Sequence, residues 1–273
     1  MDLLLGLWYN RGDDGFGGLR GEMMGKCIAS ERLLSRLDEH LAKNDYDGAK
    51  RHLLYWLSEA REVSDFSTEL LILNELMGLS RKLGEREDAL NYALLAMDKV
   101  KEMGIEGQVG AGTTYLNCAT VFKAFGLAHK SLEVFEIARE IYERELEQDD
   151  TRLSGLYNNM ALTLVDLGRF CDALELYGKA ISILEKSDTG APEIAITHLN
   201  IASSLEAEMG LEEAEGEINE HIELAFSLLD GYERRDGYYA FVCEKCASVF
   251  GYYGFFTYEA QLSERARRIY EGS

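Results

Sequence analysis

The chain has 273 residues, a formal net charge of −21 and a single proline, and 47% of its residues are hydrophobic. This composition is typical of a folded protein rich in helix-forming residues. The negative charge disfavours nucleic acid and anionic membrane surfaces as partners, because both are themselves negatively charged. A basic partner, or solubility alone, accounts better for the charge.

Five cysteines are scattered along the chain without a disulfide framework, and no run of about 20 apolar residues is long enough to span a bilayer. We therefore predict free thiols and a cytoplasmic location.

The first 29 residues differ from the rest. Residues 3–9 hold four leucines, Trp8 and Tyr9, and six glycines follow within residues 10–26. The apolar run is short, follows Asp2 and lacks a small-residue cleavage site, so it does not fit a secretory signal. We predict an apolar segment and glycine-rich tether over 1–29 and one domain over 30–273. The segment is expected to dock on that domain, in the same or a neighbouring chain; a short capping helix is the alternative.

A repeat of about 42 residues runs through the domain. Its glycines stand 42, 42, 42 and 44 residues apart, at Gly84, Gly126, Gly168, Gly210 and Gly254. One period before Gly84 stands Ala42, and the turn is predicted two residues later at Asn44, because asparagine also tolerates a left-handed backbone conformation. Each turn is expected to reverse the chain between two helices.

Small residues recur after each turn, where they let two helices approach closely. They lie five and twelve residues after the turn, at Ala49, Ala89, Ser131 and Ala173 and at Ala96, Ala138, Ala180 and Ala266. Before the turn, Tyr157, Met160, Ala161 and Leu164 follow the spacing of one apolar helix face. The fifth repeat departs: Gly210 falls one residue late in the turn, and His221 replaces the second alanine.

This pattern resembles the tetratricopeptide repeat, and the 42-residue period with Leu-Tyr-Asn-Asn-Met-Ala at 156–161 is similar to the longer repeat of kinesin light chains. The resemblance covers about residues 31–271. It implies an all-α fold, a right-handed superhelical solenoid of about six antiparallel helical hairpins, with first helices on the concave face and second helices on the convex face. It also implies a non-catalytic scaffold that binds a protein or peptide segment in the concave groove.

Asparagines at matching positions are the candidate groove residues. The resemblance turns Asn117, Asn159 and Asn200 toward the concave surface, and Asn74 and Asn158 lie one position earlier in their helices. A carboxamide both donates and accepts hydrogen bonds, so it can hold the backbone of an extended peptide. The alternative is that these asparagines only tie adjacent hairpins together.

Charged residues extend the candidate groove. Arg81 and Lys123 stand three residues before their glycines, and Lys82 follows Arg81. We predict a cationic notch there, with Glu206 supplying the opposite charge two repeats on and so setting the direction of a bound peptide. Exposed charges that only aid solubility are the alternative.

No catalytic, cofactor or metal-binding pattern is evident. Cys243 and Cys246 form a CxxC motif without a second ligand pair, and their spacing on a helix favours a core position. The histidines are dispersed and form no nucleophile arrangement, with only His40 and His52 predicted to share a hairpin. We therefore predict neither an enzyme nor a cofactor.

Two features of the C-terminal half leave other functions open. No Lys or Arg occurs between Asp188 and Glu233, which indicates either a solvated face or a docking surface for a basic partner. Eleven aromatic residues lie between Tyr232 and Tyr270, and this end or the N-terminal segment could support a homo-oligomer. The alternatives to a scaffold are a ligand-responsive regulator, similar to bacterial peptide-pheromone receptors but without a DNA-binding domain, and a self-associating structural protein.

Overall fold

The computed structural model describes residues 28–272, and the regular structure within that range is α-helical throughout. The predictions for the N-terminal segment and Cys27 lie outside these residues. The described residues form two compact units, an N-terminal unit (28–145) and a C-terminal unit (146–272). A single domain and a right-handed superhelix remain predictions.

Each unit consists of three antiparallel helical hairpins. The N-terminal unit contains α1 (Ser30–Ala42) and α2 (Tyr46–Glu62), α3 (Phe66–Lys82) and α4 (Arg86–Glu102), and α5 (Val109–Ala124) and α6 (Ala128–Glu145). The C-terminal unit contains α7 (Thr151–Asp166) and α8 (Phe170–Leu184), α9 (Ala191–Met209) and α10 (Glu215–Gly231), and α11 (Gly237–Tyr252) and α12 (Phe256–Gly272). The predicted all-α fold of six hairpins is confirmed.

The turn residues have the predicted left-handed backbone. The five repeat glycines have φ between 69° and 86°, and Asn44 has φ of 53°. Two further residues with positive φ, Ser64 and Gly104, connect one hairpin to the next in the N-terminal unit. The carboxylate of Asp45 then caps α2 by accepting a hydrogen bond from the Gly48 amide at 2.9 Å.

The fifth hairpin has a longer turn than the others. In the other five hairpins the second helix begins two residues after the turn residue, as Tyr46 follows Asn44. Here α9 continues to Met209, Gly210 ends it, and α10 begins only at Glu215. Gly210 directly follows its helix, whereas the other repeat glycines are the second residue after theirs, so the prediction that Gly210 falls late in the turn is wrong.

The small residues of the second helices lie in the core. All eight are at most 3% exposed: Ala49, Ala89, Ser131, Ala173, Ala96, Ala138, Ala180 and Ala266. The hydroxyl of Ser131 donates to the carbonyl of Ala119 on the paired helix at 2.8 Å. A polar residue is tolerated at this position because its hydrogen bond is satisfied inside the hairpin.

A partly buried ion cluster joins three helices of the N-terminal unit. The Glu69 carboxylate on α3 accepts from Arg61 Nε on α2 at 2.7 Å and lies 2.8 Å from Lys99 Nζ on α4. Burial, the largest single effect, raises the pKa of Glu69, but the two cations together outweigh it and the pKa lies below its usual value. The cluster therefore ties the second hairpin to the first.

Replacing Gly168 by alanine should destabilise the protein by about 1 kcal/mol, because an L-residue with positive φ is strained. The control is Gly178→Ala on the adjoining helix α8, which should be neutral or stabilising by up to about 1 kcal/mol. A Cβ added at either glycine meets no atom within 4 Å, so steric contact does not separate the two variants. Urea unfolding measures both, and equal effects would contradict the role of the turn conformation.

Replacing Glu69 by glutamine should lower the free energy of unfolding by about 2 kcal/mol. This is less than the ~3–5 kcal/mol lost when one partner of an isolated buried ion pair is removed. Lys99 retains a second carboxylate, Glu102, at 2.6 Å, which moderates the loss. The control is Glu39→Gln, which removes the exposed i,i+3 pair with Arg36 and should leave stability unchanged. Thermal unfolding with no difference between the two variants would rule out a stabilising cluster.

Candidate functional site

The candidate asparagines of the N-terminal unit connect its first helices. Asn74 is buried, and its Nδ2 donates to Leu70 O at 2.9 Å and to Thr114 Oγ1 at 3.2 Å. Its Oδ1 accepts from Asn117 Nδ2 at 2.9 Å. These bonds join α3 to α5, in line with the alternative prediction that the asparagines tie adjacent hairpins together. Asn117 remains half-buried, so part of its side chain is accessible.

The asparagines of the C-terminal unit are buried. Asn158 Nδ2 on α7 donates to Thr197 Oγ1 on α9 at 2.9 Å, and Asn159 Nδ2 donates to Gly155 O within α7 at 2.9 Å. Asn200 is buried as well, and its backbone carbonyl accepts from Ser204 Oγ at 2.8 Å. Substituting these asparagines would therefore disturb packing as well as any ligand contact.

The predicted cationic residues differ in their surroundings. Arg81 is half-buried near the end of α3, and burial lowers the pKa of its guanidinium. Lys123 is buried at the equivalent position of α5, and Lys82 is exposed with its Nζ 4.8 Å from the centre of the Tyr46 ring. The three belong to one unit, and their assembly into a binding notch remains a prediction.

Glu206 takes part in a contact that the sequence reasoning missed. Its two carboxylate oxygens accept from the hydroxyls of Tyr252 at 2.6 Å and Tyr253 at 2.7 Å, which join α9 to α11. At the other end of α9, Glu193 Oε1 accepts from the Tyr238 hydroxyl at 2.6 Å. The glutamates are 13 residues apart and Tyr238 and Tyr252 are 14 apart, about 3.6 and 3.9 helical turns, so the two spacings did not indicate the contacts.

The C-terminal aromatic residues are divided between core and surface. Tyr239 and Phe250 are fully buried, and Phe226 stacks on Tyr258 with ring centroids 3.7 Å apart. Phe256, in contrast, is 68% exposed. Self-association through this end remains a prediction.

Two histidines that were expected to be dispersed form a pair. His198 on α9 and His221 on α10 lie with their Nδ1 atoms 2.9 Å apart, so the prediction that only His40 and His52 share a hairpin is wrong. Burial and, to a lesser extent, His221 lower the pKa of His198 to about 4. Burial also lowers the pKa of His221. His221 stands where other repeats have a core alanine, and this position could have indicated a contact with the paired helix.

The CxxC cysteines lie in the core, as predicted. Cys243 and Cys246 are buried free thiols, and burial raises the pKa of Cys243 to about 12. No group of three or more His, Cys, Asp or Glu side chains in residues 28–272 is arranged to hold a metal ion. Within the same residues, every helix is too short or too polar to cross a bilayer.

Comparisons with known proteins agree with the observed helices. Residues 110–186 match the family model of the tetratricopeptide repeat. The described helices have the tetratricopeptide-repeat fold. A comparison with curated proteins finds no significant match to this sequence.

Several solved structures share this tetratricopeptide-repeat fold at low sequence identity. A putative kinesin light chain from Podosopora anserina with TPR-like repeats has 16% identity and a TM-score of 0.51, over 73% of this chain and 94% of that one. The apo form of RapI has 19% identity and a TM-score of 0.63, over 89% of this chain and 85% of RapI. A Rap protein complexed with the competence and sporulation factor has 14% identity and a TM-score of 0.51, over 87% of this chain and 73% of the Rap chain. The predicted resemblance to kinesin-light-chain-type repeats is confirmed.

The histidine pair should make stability depend on pH between about 6.5 and 4. In the unfolded chain a histidine takes up a proton near pH 6.5, whereas folded His198 stays neutral to about pH 4, so stability falls as the pH falls through this window. Between pH 7 and 5 the wild type should lose about 1 kcal/mol more than His198→Gln, after allowance for solvent screening of this half-buried group.

Urea unfolding at both pH values measures this difference. The control is His129→Gln, which changes an exposed histidine and should leave the pH dependence as in the wild type. If His198→Gln loses as much stability as the wild type, the pair does not determine the pH response.

Proposed function

We propose that the chain is a non-catalytic scaffold that binds a protein or peptide segment along the first helices of its hairpins. The main support for this proposal is that polar side chains recur at one position of successive first helices. Glu75 and Asn117 stand 42 residues apart in the N-terminal unit, and Asn159 and Asn200 stand 41 apart in the C-terminal unit. Helices that are otherwise largely apolar thus carry a polar row in each unit.

An extended peptide matches the spacing of such a row. Packed helices lie about 8–10 Å apart, and an extended chain advances about 3.3 Å per residue. Roughly every third residue of the peptide would therefore meet the next first helix. The half-buried amide of Asn117 is the group best placed to bond its backbone, because the other asparagines are buried.

The charged residues supply a second means of recognition. In this proposal the exposed Lys82 and the half-buried Arg81 contact acidic groups of a partner at the N-terminal unit, and the buried Lys123 adds positive charge behind them. Glu206 contacts a donor group at the C-terminal unit, where its carboxylate already accepts from two tyrosines.

The comparisons support protein binding as the general role. Tetratricopeptide-type repeats present extended surfaces built by stacked hairpins, and such surfaces suit polypeptide partners. A solved Rap protein of this fold is complexed with the competence and sporulation factor. The fold alone is shared at this level of identity, so the partner of the present chain is argued from its own residues.

A ligand-responsive regulator is the second candidate. It is favoured by a solved structure of the same fold, the quorum sensor NprR from B. thuringiensis, which has 16% identity and a TM-score of 0.51. The two candidates differ in what a bound peptide does to the protein. A scaffold keeps its radius of gyration when peptide binds, whereas a regulator of this kind changes it, and small-angle X-ray scattering distinguishes the two.

Binding should depend on the first helices and not on the second helices. A peptide selected on the immobilised wild-type chain from a random display library serves as the probe. Asn117→Ala or Glu206→Gln should weaken its Kd about tenfold, which corresponds to the loss of about 1.4 kcal/mol of hydrogen bonding. Isothermal titration calorimetry measures the Kd of each variant.

Matched controls lie on the second helices of each unit. Ile137→Ala on α6 and Leu174→Ala on α8 remove exposed apolar side chains and should leave the Kd unchanged. A peptide that loses affinity with either control but with neither first-helix variant would overturn the proposal. Unfolding midpoints confirm that each variant is folded.

A further inference from the structure

Two histidine side chains meet nitrogen to nitrogen inside the fifth hairpin. His198 on α9 and His221 on α10 have their Nδ1 atoms 2.9 Å apart, and their ring centroids are separated by 5.1 Å. Both side chains are half-buried, so each is partly accessible to solvent. A neutral imidazole carries one proton, so in this contact one Nδ1–H donates to the other Nδ1.

The pair arises from two departures from the repeat that occur together. His198 stands two residues before Asn200, the asparagine that recurs in the repeats, and His221 stands 21 residues after it. The third and fourth repeats hold a tyrosine and an alanine at these two positions, and all four are at most 7% exposed: Tyr115, Ala138, Tyr157 and Ala180. The exchange thus removes a buried tyrosine and a buried alanine and leaves two accessible imidazoles at one point of the hairpin.

The histidines of the first hairpin are also close but are arranged differently. The rings of His40 and His52 have centroids 5.9 Å apart. However, His40 Nδ1 lies 2.7 Å from the Asp45 carboxylate, and His52 Nε2 lies 3.0 Å from the Leu33 carbonyl oxygen. Proximity of two histidines therefore does not by itself direct their nitrogens at each other, and the convergence of the Nδ1 atoms is particular to the fifth hairpin among these two pairs.

The distance between the two Nδ1 atoms suits two ligands of one metal ion. Metal–nitrogen bonds of about 2.0–2.1 Å place two ligand nitrogens about 2.9 Å apart at a right angle and about 3.3 Å apart at a tetrahedral angle. The observed 2.9 Å therefore matches adjacent positions of a square-planar ion, a geometry typical of divalent copper and nickel, and both of these metals bind imidazole. The two side chains supply two coordination positions, and their partial exposure leaves the remaining positions to water.

The surrounding charge favours a cation at the pair. Neither α9 nor α10 contains Lys or Arg, and none occurs between Lys186 and Arg234. Burial lowers the pKa of His221, and the charges of Glu220 and Glu217 oppose this effect, so both carboxylates act on the imidazole. A divalent ion bound between the two rings would offset part of this negative charge.

We propose that His198 and His221 form a two-histidine site for a divalent transition-metal ion, nickel or copper, that links α9 to α10. On binding, the proton of the donating Nδ1 moves to Nε2 of the same ring through water, and both Nδ1 lone pairs then bond the metal; no electron is transferred. The site is separate from the polar row of the first helices, so it can fail while the proposed peptide-binding function stands, and the reverse.

Isothermal titration calorimetry of the untagged full chain with NiCl2 tests the site. We expect one Ni²⁺ per chain, and the Kd should rise by at least about tenfold in His198→Gln and in His221→Gln, since each variant removes one ligand. The control is His129→Gln, which changes an exposed histidine on α6 and should leave the Kd unchanged. MgCl2 should bind far more weakly, because Mg²⁺ prefers oxygen ligands. Equal affinity for the two ions would indicate only attraction to an acidic surface and would overturn the site, as would the absence of Ni²⁺ binding.

A double variant separates loss of the ligands from loss of folding. His198→Tyr combined with His221→Ala restores the side chains of the third and fourth repeats, so this variant should fold and should fail to bind Ni²⁺. Saturating NiCl2 should raise the unfolding midpoint of the wild type and leave that of the double variant unchanged, because a ligand stabilises only a state that binds it. The electron paramagnetic resonance spectrum of the wild-type chain with Cu²⁺ should show splitting by two nitrogens. Retention of one Ni²⁺ by the double variant, or a Cu²⁺ spectrum with oxygen ligands alone, would overturn the proposal.

Discussion

The hairpins of the described structure depend on one turn residue with positive φ, which recurs in each of them. This residue reverses the chain between the two helices and allows their small side chains to meet in the core. Glycine supplies the positive φ in five hairpins and Asn44 in the first, in agreement with the few residues that adopt it at low cost. The position of the turn residue determines the register of the two helices.

This dependence explains why the fold could be predicted from the sequence. The turn residues, the apolar faces and the alanines are local signals that recur with one period, so each copy supports the others. The fifth repeat was correctly identified as irregular, although Gly210 begins its turn and does not fall late in it. The repeat position of each residue also defined its counterparts in other hairpins, such as Asn117 and Asn200.

The candidate site was harder to predict because it depends on contacts between helices about 40 residues apart. The repeat placed Asn74 near Asn117 but gave no reason why the Oδ1 of Asn74 should have a donor and the Oδ1 of its counterpart Asn158 should not. The pairing of Tyr238 with Glu193 depends on two side chains whose positions do not repeat. The histidine pair was missed because His221 was treated as a lost alanine and not as a side chain directed at α9. Departures from the repeat thus carry information that the repeat cannot supply.

Polar residues in the first helices serve both packing and recognition. A buried amide that joins α3 to α5 stabilises the N-terminal unit and has little remaining capacity for a ligand. In the C-terminal unit the buried Asn158 joins α7 to α9 in the same way, but its Oδ1 has no hydrogen-bond partner among the described residues. The same repeat position is therefore structural in both units and differs in how fully its hydrogen bonds are satisfied.

The extended turn of the fifth hairpin shows how the backbone of a reversal can change while the core does not. Residues 210–214 separate α9 from α10, yet both helices keep their core contacts, with Ala202 and Ile218 buried. Asn200 and His221 are 21 residues apart, as are Asn159 and Ala180 in the fourth repeat, so the turn is longer because α10 begins later and not because residues are inserted. The first turn of a second helix can therefore be exchanged for a loop, which alters the rim of one hairpin and leaves the phase of both its helices intact.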